Sequence, residues 1–422
     1  MKKVLLTVFL VAVLSVALFA EKTITVAAGA VGIELELARQ AAEEFEELFP
    51  GVKVNVLDTP DMVQDRLGLY LQFFEAKSDR VDVYQIDVIW PGDLAQHFVD
   101  LYEYGAYDYV PNHFEAIVEN NTVDGELIGI PWFTDAGVLY YRADLLEKYG
   151  FDGPPETWDE LEEMAEVVME GEKKNNSDFW GFVFQGNAYE GLTCDALEWI
   201  ASNDGGTIVN RDQEVTIANA NAAEMLEQVA GWIGNIAPEG VLSMDEEGAR
   251  KVWQAGNALF MRNWPYAYAL GNSDDSAIKG KFDVSVLPHG KGDSAATLGG
   301  WQLAVSKYSK DPALAAQVAF FFANYDHQKA RAMETYNPTI KQLYEDPEVL
   351  DAVPFFDSLY DVFTNAVARP STASAPNYNE VSTLFFKAVH KIISGDSNDA
   401  LGTLEELALD IADVTGFEPI FE

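Results

Sequence analysis

Seven residues at the predicted ends of strands or in loops combine carboxylates, aromatic rings and one guanidinium group. A carboxylate can accept hydrogen bonds from two vicinal hydroxyls, and a guanidinium can donate two hydrogen bonds in a fixed geometry. Flat aromatic faces can cover the apolar C–H side of a pyranose ring. This combination suits an uncharged carbohydrate. The seven residues are Glu34, Asp87, Asp135, Trp264, Tyr266, Trp301 and Arg369.

Two of these aromatic residues lie in a short run with a clear local pattern. Residues 251–256 have a helical pattern that ends at a glycine, and residues 257–262 predict a short buried strand. Pro265 then restricts its own backbone and disfavours helix at Trp264, which favours an extended or turn geometry there. Such a rigid turn would present Trp264 and Tyr266 to a ligand. The run is equally compatible with both rings being ordinary core aromatics.

The three candidate carboxylates differ in how clearly their neighbours in sequence distinguish them from ordinary surface Asp and Glu residues. Most Asp and Glu residues of such a chain lie on solvated surfaces. Asp87 and Asp135 are exceptions because each is embedded in an apolar, aromatic run. Glu34 opens a predicted helix and could simply interact favourably with the helix dipole. Arg369, between Ala368 and Pro370, could instead form an ordinary ion pair between two lobes.

Several common catalytic and cofactor signatures are missing from the sequence. There is no Walker loop, no glycine-rich dinucleotide signature after a strand and no G-x-S-x-G sequence. The His residues at positions 97, 113, 289, 327 and 390 lack metal-type spacing. We therefore expect no metal and no cofactor. A pair of carboxylates still permits glycoside hydrolysis as an alternative.

Composition excludes some classes of partner. The 422 residues carry a formal charge of −42, from 27 basic and 69 acidic residues. Such a surface repels nucleic acid and anionic lipid, and it disfavours an anionic substrate. The apolar fraction of 48% is enough for full cores, and the length favours two domains. Cys194 is alone, so no intramolecular disulfide can form.

The N-terminus predicts a cleavable signal peptide over residues 1–20. A basic start precedes an apolar run at residues 4–20, and Ala20 places a small residue before the expected cut. Leu18 stands where a second small residue is usual, so the cut could fall a residue or more away. A membrane anchor fits less well because the run is short. No Cys follows the cut, so we expect an exported, periplasmic or secreted monomer without a lipid anchor.

The first predicted elements have a β-α-β order. Residues 23–28 and 52–57 alternate as strands do, and residues 34–48 between them have helical spacing. This order predicts a parallel α/β sheet. A third strand is predicted at residues 81–89, with Asp87 near its C-terminal end, where open α/β sheets bind ligands.

Later elements predict a second sheet and a return to the first. A strand at residues 126–131 leads to Asp135, and residues 138–142 predict a strand of another sheet. Further helices are predicted near residues 192–203 and 222–233, and a strand is predicted at residues 281–288. After it, Gly299 and Trp301 precede a strand that crosses back. We therefore predict a first lobe of residues 21–131 with about 300–345, and a second of 132–299 with about 346–422.

Six stretches between residues 133 and 370 carry a resemblance to a known family: FTDAGVLYYRADLLEKYG, PPETWDEL, FWGFVFQGNAYEGLTCD, QAGNALFMRNWPYAYAL, SAATLGGWQLAVSKYS and FTNAVARP. On them the chain resembles the family-1 extracellular solute-binding proteins, the sugar-binding proteins of ABC importers. It is most similar to the trehalose/maltose-binding proteins of thermophiles. The resemblance implies a type II periplasmic-binding-protein fold of two α/β lobes, joined by hinge crossovers and closing over a disaccharide.

The resemblance also implies roles for individual residues. The family's acidic sugar contacts match Glu34, Asp87 and Asp135, and Phe133 stands where the family often has a tyrosine. That change removes one hydroxyl and leaves the preferred sugar open. Tyr189 and Glu190 are expected to line the second lobe. The remaining matches are Trp264 and Tyr266 in R-N-W-P-Y, Gly299 and Trp301 in L-G-G-W, Arg369 in A-V-x-R-P and, where the alignment slips by one residue, Arg66.

The expected function is therefore capture of trehalose or a related α-glucoside, such as maltose, sucrose or glucose, for a membrane permease. The protein is expected to bind the sugar without altering it. One alternative is a secreted glycoside hydrolase that uses a carboxylate pair. Another is an adhesin or structural surface protein, which would show no saturable binding of small sugars.

Overall fold

The computed structural model describes residues 22–358, 360, 362 and 366–421. The predicted signal peptide lies outside the described residues, as do three residues of the FTNAVARP stretch. None of the helices among the described residues is both long enough and apolar enough to cross a membrane.

The described strands form two main sheets and two small strand pairs. In chain order the strands are β1 (Lys22–Ala28), β2 (Val52–Asp58), β3 (Val83–Asp87), β4 (Thr122–Val123), β5 (Glu126–Leu127), β6 (Ile130–Ala136), β7 (Val138–Tyr141), β8 (Trp180–Val183), β9 (Glu214–Ala218), β10 (Ala258–Asn263), β11 (Asp283–Ser285), β12 (Leu298–Val305), β13 (Asn337–Pro338) and β14 (Glu418–Phe421).

The described helices cover both main sheets. They are α1 (Glu34–Leu48), α2 (Val63–Glu75), α3 (Pro91–Leu94), α4 (Glu115–Asn120), α5 (Ala143–Tyr149), α6 (Trp158–Glu172), α7 (Glu190–Ser202), α8 (Ala220–Trp232), α9 (Glu246–Gln254), α10 (Ala267–Gly271), α11 (Pro312–Phe322), α12 (Tyr325–Met333), α13 (Pro347–Ala352), α14 (Phe355–Ser358), α15 (Ser371–Ser374), α16 (Tyr378–Ile393) and α17 (Ala400–Thr415). Short 3-10 helices occupy Ala95–His97, Leu101–Tyr104, Ala106–Asp108, Val110–Asn112, Glu239–Ser243 and Lys341–Glu345.

The first main sheet has the strand order β13-β6-β12-β3-β1-β2. β1 lies parallel to β2 and β3, in agreement with the predicted β-α-β start. α1 packs on β2, and all five residues of β3 are buried. β12 runs antiparallel between β3 and β6, so a strand that arrives from the second half of the chain lies at the centre of this sheet.

The second main sheet has the order β11-β7-β10-β8, and helices α6 to α9, α16 and α17 belong to its half of the molecule. β10 is parallel to β8 and antiparallel to β7. The core beside it is rich in tryptophan. Trp199 and Trp232 pack edge to face at 6.2 Å between ring centroids, and Trp158 lies 5.6 Å from Trp232.

Two connections between the sheets lie side by side, where Leu298 pairs with Ala136. β6 ends at Ala136 and β7 starts at Val138, so Gly137 alone separates strands of different sheets. On the return, Thr297 precedes β12 and forms a bridge with Val367, which brings a third segment alongside. The predicted strand at 126–131 is wrong in its bounds, because Glu126–Leu127 forms β5 and β6 begins only at Ile130. Pairing with β12 and β13 extends β6 to Ala136, an effect of distant partners that local sequence does not contain.

Helix α9 also starts earlier than the sequence pattern indicates. Residues 251–256 predict a helix, whereas α9 begins at Glu246. The side chain of Asp245 accepts a hydrogen bond from the backbone N–H of Gly248 at 2.7 Å, which caps the helix. The earlier start brings Glu246 to the boundary between the two halves of the molecule.

A pair of glycine substitutions tests the packing of the second sheet. A Cβ at Gly181 in β8 would lie 2.5 Å from the Ala165 Cβ, so we expect Gly181→Ala to destabilise the protein by about 1–3 kcal/mol. At Gly68 in α2 a Cβ meets nothing within 4 Å, so Gly68→Ala should stabilise by up to about 1 kcal/mol. Calorimetry measures the melting temperatures of both variants. Equal changes in melting temperature would contradict the close contact between Gly181 and Ala165.

Candidate ligand-binding site

A cavity of about 60 Å³ lies between the two main sheets, close to the connections that join them. Its walls come from both halves of the chain. The first half contributes the start of α1 and the ends of β3 and β6, and the second contributes the starts of α7 and α9 and the turn after β10. The predicted residues that line the cavity are Glu34, Asp87, Asp135, Trp264, Tyr266, Gly299, Trp301 and Arg369.

Strand register brings four of these residues together. Trp301 of β12 is opposite Asp87 of β3, and Gly299 is opposite Asp135 of β6. Gly300 between them has φ +133°, and a Cβ there would lie 2.7 Å from the Phe133 carbonyl oxygen. The Gly299-Gly300-Trp301 sequence therefore places one large ring beside two carboxylates without filling the cavity.

Glu34 occupies the first turn of α1 and is buried. Gln85 Nε2 donates a hydrogen bond to Glu34 Oε2 at 3.1 Å, and the Gly29 backbone N–H donates to Gln85 Oε1 at 2.6 Å. Burial raises the pKa of Glu34, although Arg66 and the bond from Gln85 oppose the shift. This carboxyl is therefore held in place by its neighbours as well as by the helix.

Arg66 is fully buried but is not among the residues that line the cavity. Its Nε donates to the Pro60 carbonyl oxygen at 3.0 Å, and its Cζ lies 4.3 Å from the centre of the Trp301 ring. Nη1 and Nη2 find no hydrogen-bond partner among the described residues. The structure thus places Arg66 behind Trp301, where a cation–π contact supports the ring.

Arg369 forms the ion pairs that the sequence left as an alternative to ligand contact, and it lines the cavity as well. Its Nη2 donates to Asp87 Oδ1 at 3.0 Å, and its Nη1 donates to Glu190 Oε1 at 2.8 Å. Tyr378 and Ser382 donate to the same Glu190 carboxylate, each at 2.6 Å. One guanidinium therefore connects the end of β3 with the start of α7.

A second contact crosses the same boundary. The backbone N–H of Glu190 donates to Gln64 Oε1 at 3.1 Å, which joins α7 to α2. Glu190 itself lines the cavity, as predicted for the second half of the chain. Burial raises its pKa, with Arg369 and the hydroxyls of Ser382 and Tyr378 opposing.

Tyr189 lies behind the cavity wall. Its hydroxyl donates to Glu246 Oε2 at 2.7 Å, and Glu246 Oε1 accepts from Trp264 Nε1 at 3.4 Å. Glu246 lines the cavity, whereas Tyr189 is not among the lining residues. Sequence reasoning missed Glu246; the acidic run 245–247 before a helical pattern was the available signal.

Tyr336 is a second lining residue that sequence reasoning missed. Its ring stacks with Tyr266 across the boundary, with centroids 6.2 Å apart and planes 21° apart. Its hydroxyl accepts from the Ile33 backbone N–H and donates to the Val31 carbonyl, both at 2.9 Å. The Tyr266 hydroxyl donates to Glu247 Oε1 at 2.8 Å. No local pattern around Tyr336 indicates this position, because its partners lie far away in sequence.

Asp135 differs from the other carboxylates because its Oδ1 has no hydrogen-bond partner among the described residues. The side chain is buried, and burial raises its pKa well above 3.8. Glu34 and Asp87 raise the pKa further, while Arg262 lowers it. An unpaired buried carboxyl that lines a cavity is available to accept hydrogen bonds from a ligand.

The described residues contain no group of three or more His, Cys, Asp or Glu placed to hold a metal ion. What the cavity does offer is a set of carboxylates, aromatic rings and one guanidinium. This arrangement can bind hydroxyl groups and cover apolar ring faces.

The chain belongs to the family of bacterial extracellular solute-binding proteins, whose model matches residues 32–329. Members of this family are substrate-binding proteins of ABC transporters rather than enzymes. A probable ABC transporter-binding protein of Deinococcus radiodurans is 51% identical over 387 residues, which cover 91% of this chain and 92% of that protein.

Solved structures agree with this assignment. The maltose-bound MalE3 of T. maritima has 40% sequence identity and a TM-score of 0.88, over 93% of this chain and 99% of that chain. A solute-binding protein of Thermotoga lettingae, bound with α-D-tagatose, has 20% identity and a TM-score of 0.84, over 94% and 100% of the two chains. The predicted family and the type II two-lobe fold are therefore confirmed.

Replacing the unpaired carboxyl should change how stability depends on pH. Between the ordinary pKa of 3.8 and its raised folded value, Asp135 binds more protons in the folded state than in the unfolded state. The free energy of unfolding of the wild type therefore falls as pH rises through this window. Asp135→Asn removes that loss, so at pH 7 the variant should melt about 2–4 °C higher, as roughly 1 kcal/mol would produce in a domain of roughly 200 residues.

Melting curves from pH 4 to pH 8 measure the difference. The exposed Asp293→Asn is the control and should follow the wild type at every pH. A constant difference between Asp135→Asn and the wild type over this range would show that Asp135 does not titrate abnormally.

Proposed function

We propose that the protein captures an uncharged sugar in the cavity between its lobes and delivers it to a membrane permease without altering it. The observation that carries the proposal is the convergence of carboxylates and aromatic rings from both halves of the chain on one cavity. The unpaired Oδ1 of Asp135 adds an acceptor that protein groups do not use. Membership of a transporter-binding family supports delivery to a permease.

The sugar that we propose is trehalose or another α-glucoside, such as maltose, sucrose or glucose. Maltose in the 40% identical MalE3 supports this class. Hydrogen bonds to charged groups contribute roughly 1.5–3 kcal/mol each. Three or four such hydrogen bonds plus ring stacking, less the entropy lost on binding, would give a binding free energy of about −8 kcal/mol. This value corresponds to a micromolar dissociation constant.

The residues that we propose to contact the sugar are those that line the cavity, while Arg66 and Tyr189 act from behind it. Arg66 supports the Trp301 ring, and Tyr189 orients Glu246. Phe133 offers no hydroxyl and is buried, with its ring 5.5 Å from that of Tyr336 in an edge-to-face arrangement. Phe133 therefore supports Tyr336 of the cavity wall through packing alone.

The size of the cavity supports a binding cycle with lobe movement. A space of about 60 Å³ holds a few water molecules rather than a disaccharide. A sugar would therefore enter while the lobes are further apart, and its contacts with both lobes would favour closure by differential affinity. We propose that the permease recognises the closed form.

The proposed setting follows from the sequence. Residues 1–20 would direct export and be removed, which leaves a monomeric protein outside the cytoplasm. We further propose that Gly137 marks the first crossing between lobes, with the remaining lobe boundaries as predicted. No cofactor and no nucleic acid take part in the proposed function.

Two substitutions test the site directly. Trp301→Ala removes a ring from the cavity wall, and Asp135→Ala removes the unpaired acceptor. We expect each to weaken sugar binding about 10–100-fold, since the lost contacts correspond to roughly 1.4–2.8 kcal/mol. Isothermal titration with trehalose, maltose, sucrose and glucose measures the change.

Matched surface variants provide the controls. The exposed residues Tyr107 and Asp293 supply Tyr107→Ala and Asp293→Ala, which should bind as the wild type does. Unchanged affinity in both site variants would remove Trp301 and Asp135 from the site. Release of glucose from trehalose or maltose at enzyme-like rates would replace the proposal with glycoside hydrolysis, and no saturable binding of any sugar would favour a surface structural role.

A further inference from the structure

A buried charged cluster lies next to the cavity without lining it. Arg262 of β10 donates from Nε to Glu198 Oε2 at 2.8 Å and from Nη2 to Glu198 Oε1 at 2.5 Å. Its Nε also lies 3.0 Å from Asp195 Oδ1, and its Nη1 donates to Gln185 Oε1 at 3.0 Å. The side chains of Arg262, Asp195 and Glu198 are all fully buried.

One carboxylate of this cluster holds the return connection between the lobes. Glu198 Oε1 accepts a hydrogen bond from the Thr297 backbone N–H at 3.0 Å. The Thr297 hydroxyl donates to the Cys194 carbonyl oxygen, one turn earlier on α7, at 2.9 Å. Thr297 is thus fixed to α7 at the point where the chain turns back towards β12.

The same pair lies against the other connection. A Cβ at Gly137 would lie 2.0 Å from Glu198 Oε1 and 2.6 Å from Arg262 Nη2. Any larger residue would therefore displace the ion pair. Because Leu298 pairs with Ala136, the two connections lie side by side. Glu198 accepts a hydrogen bond from Thr297 in the return connection, and Glu198 and Arg262 lie against Gly137 in the first.

The other end of the cluster touches the cavity wall. Arg262 Cζ lies 4.0 Å from the centre of the Trp264 ring, a cation–π contact on a ring that lines the cavity. A Cβ at Gly299 would lie 3.1 Å from the edge of that ring, at Cζ3. The ring is therefore confined between Arg262 and the start of β12.

A purely structural role is a weak explanation for this cluster. Buried ion pairs often stabilise a fold no more than well-packed apolar residues would, because desolvation of the charges offsets their attraction. The groups that this cluster contacts belong to both lobe connections and to one ring of the cavity.

We propose that Arg262 and Glu198 are positioning residues that couple the Trp264 ring to the two lobe connections at Gly137 and Thr297. A sugar stacked on Trp264 would contact a ring that packs on Arg262. Arg262 and its partner Glu198 also lie against Gly137, and Glu198 holds Thr297. Ring contact and lobe angle then change together. This inference rests on the proposed sugar binding, but its structural part concerns the unliganded protein as well.

Glu198→Gln and Asp195→Asn are a matched pair of tests. Both replace a buried carboxylate by its amide, but only Glu198 contacts Thr297 and Gly137, whereas Asp195 accepts from the Gln185 backbone N–H at 2.9 Å. We expect both to lower the melting temperature. Glu198→Gln should weaken maltose binding by about 10-fold, the effect of losing roughly 1.4 kcal/mol. Asp195→Asn should weaken it less, because Asp195 contacts Arg262 but neither lobe connection.

Gly137→Ala tests the first connection without removing either charge of the ion pair. Its Cβ should force Glu198 aside, so the lobe angle of the unliganded protein should change and maltose should no longer compact it. Gly153→Ala is the control, because a Cβ there meets nothing within 4 Å. Small-angle X-ray scattering measures the radius of gyration of each variant with and without maltose.

The outcomes separate this inference from the proposed function. If unliganded Glu198→Gln and Gly137→Ala scatter as the wild type does, the inference is overturned, whether or not maltose binds. Equal effects of Asp195→Asn and Glu198→Gln on both affinity and scattering would also overturn it, in favour of general stabilisation. If the wild type binds none of the sugars, the proposed function fails, and the unliganded scattering still decides the role of the pair.

Discussion

The cavity depends on one guanidinium that offsets the repulsion between carboxylates of the two lobes. Asp87 ends a strand of the first sheet, and Glu190 opens a helix of the second half. In a chain with a formal charge of −42, bringing these buried groups together is unfavourable unless a cation lies between them. Arg369 supplies that cation, with bonds of 3.0 and 2.8 Å to the two carboxylates. The close approach of the two halves follows from this arrangement.

The remaining carboxylates are not balanced in the same way, and this imbalance is useful. Asp135 keeps an unpaired oxygen, and burial raises the pKa of both Asp135 and Glu34. A folded protein gains nothing from such groups, and deviations of this kind concentrate at functional sites. Sugar hydroxyls would supply the missing donors. The carboxyl groups whose burial costs stability are therefore among those that we propose to bind the ligand.

The sequence predicted those site residues whose immediate neighbours in the chain set them apart. Asp87 and Asp135 stood out as carboxylates within apolar runs, and Pro265 indicated a rigid turn beside Trp264, which does line the cavity. Tyr336 was missed because its position is set by contact with Ile33 and Val31, about three hundred residues earlier. Family resemblance indicated Arg66, but only the packing of its guanidinium on Trp301 shows that it lies behind the wall. The extent of β6 likewise depended on its partner strands.

The connections between lobes show a related constraint on side-chain size. Where β6 passes into β7 and where β12 begins, the neighbouring space is already taken by charged and aromatic side chains. A Cβ at Gly137 would meet Glu198 and Arg262, and one at Gly299 would meet Trp264. Glycine at these positions allows backbone and functional side chains to share the same small volume. The composition of the connections is therefore dictated by the site, because the groups that would bind a sugar and the strands that join the lobes pack against each other.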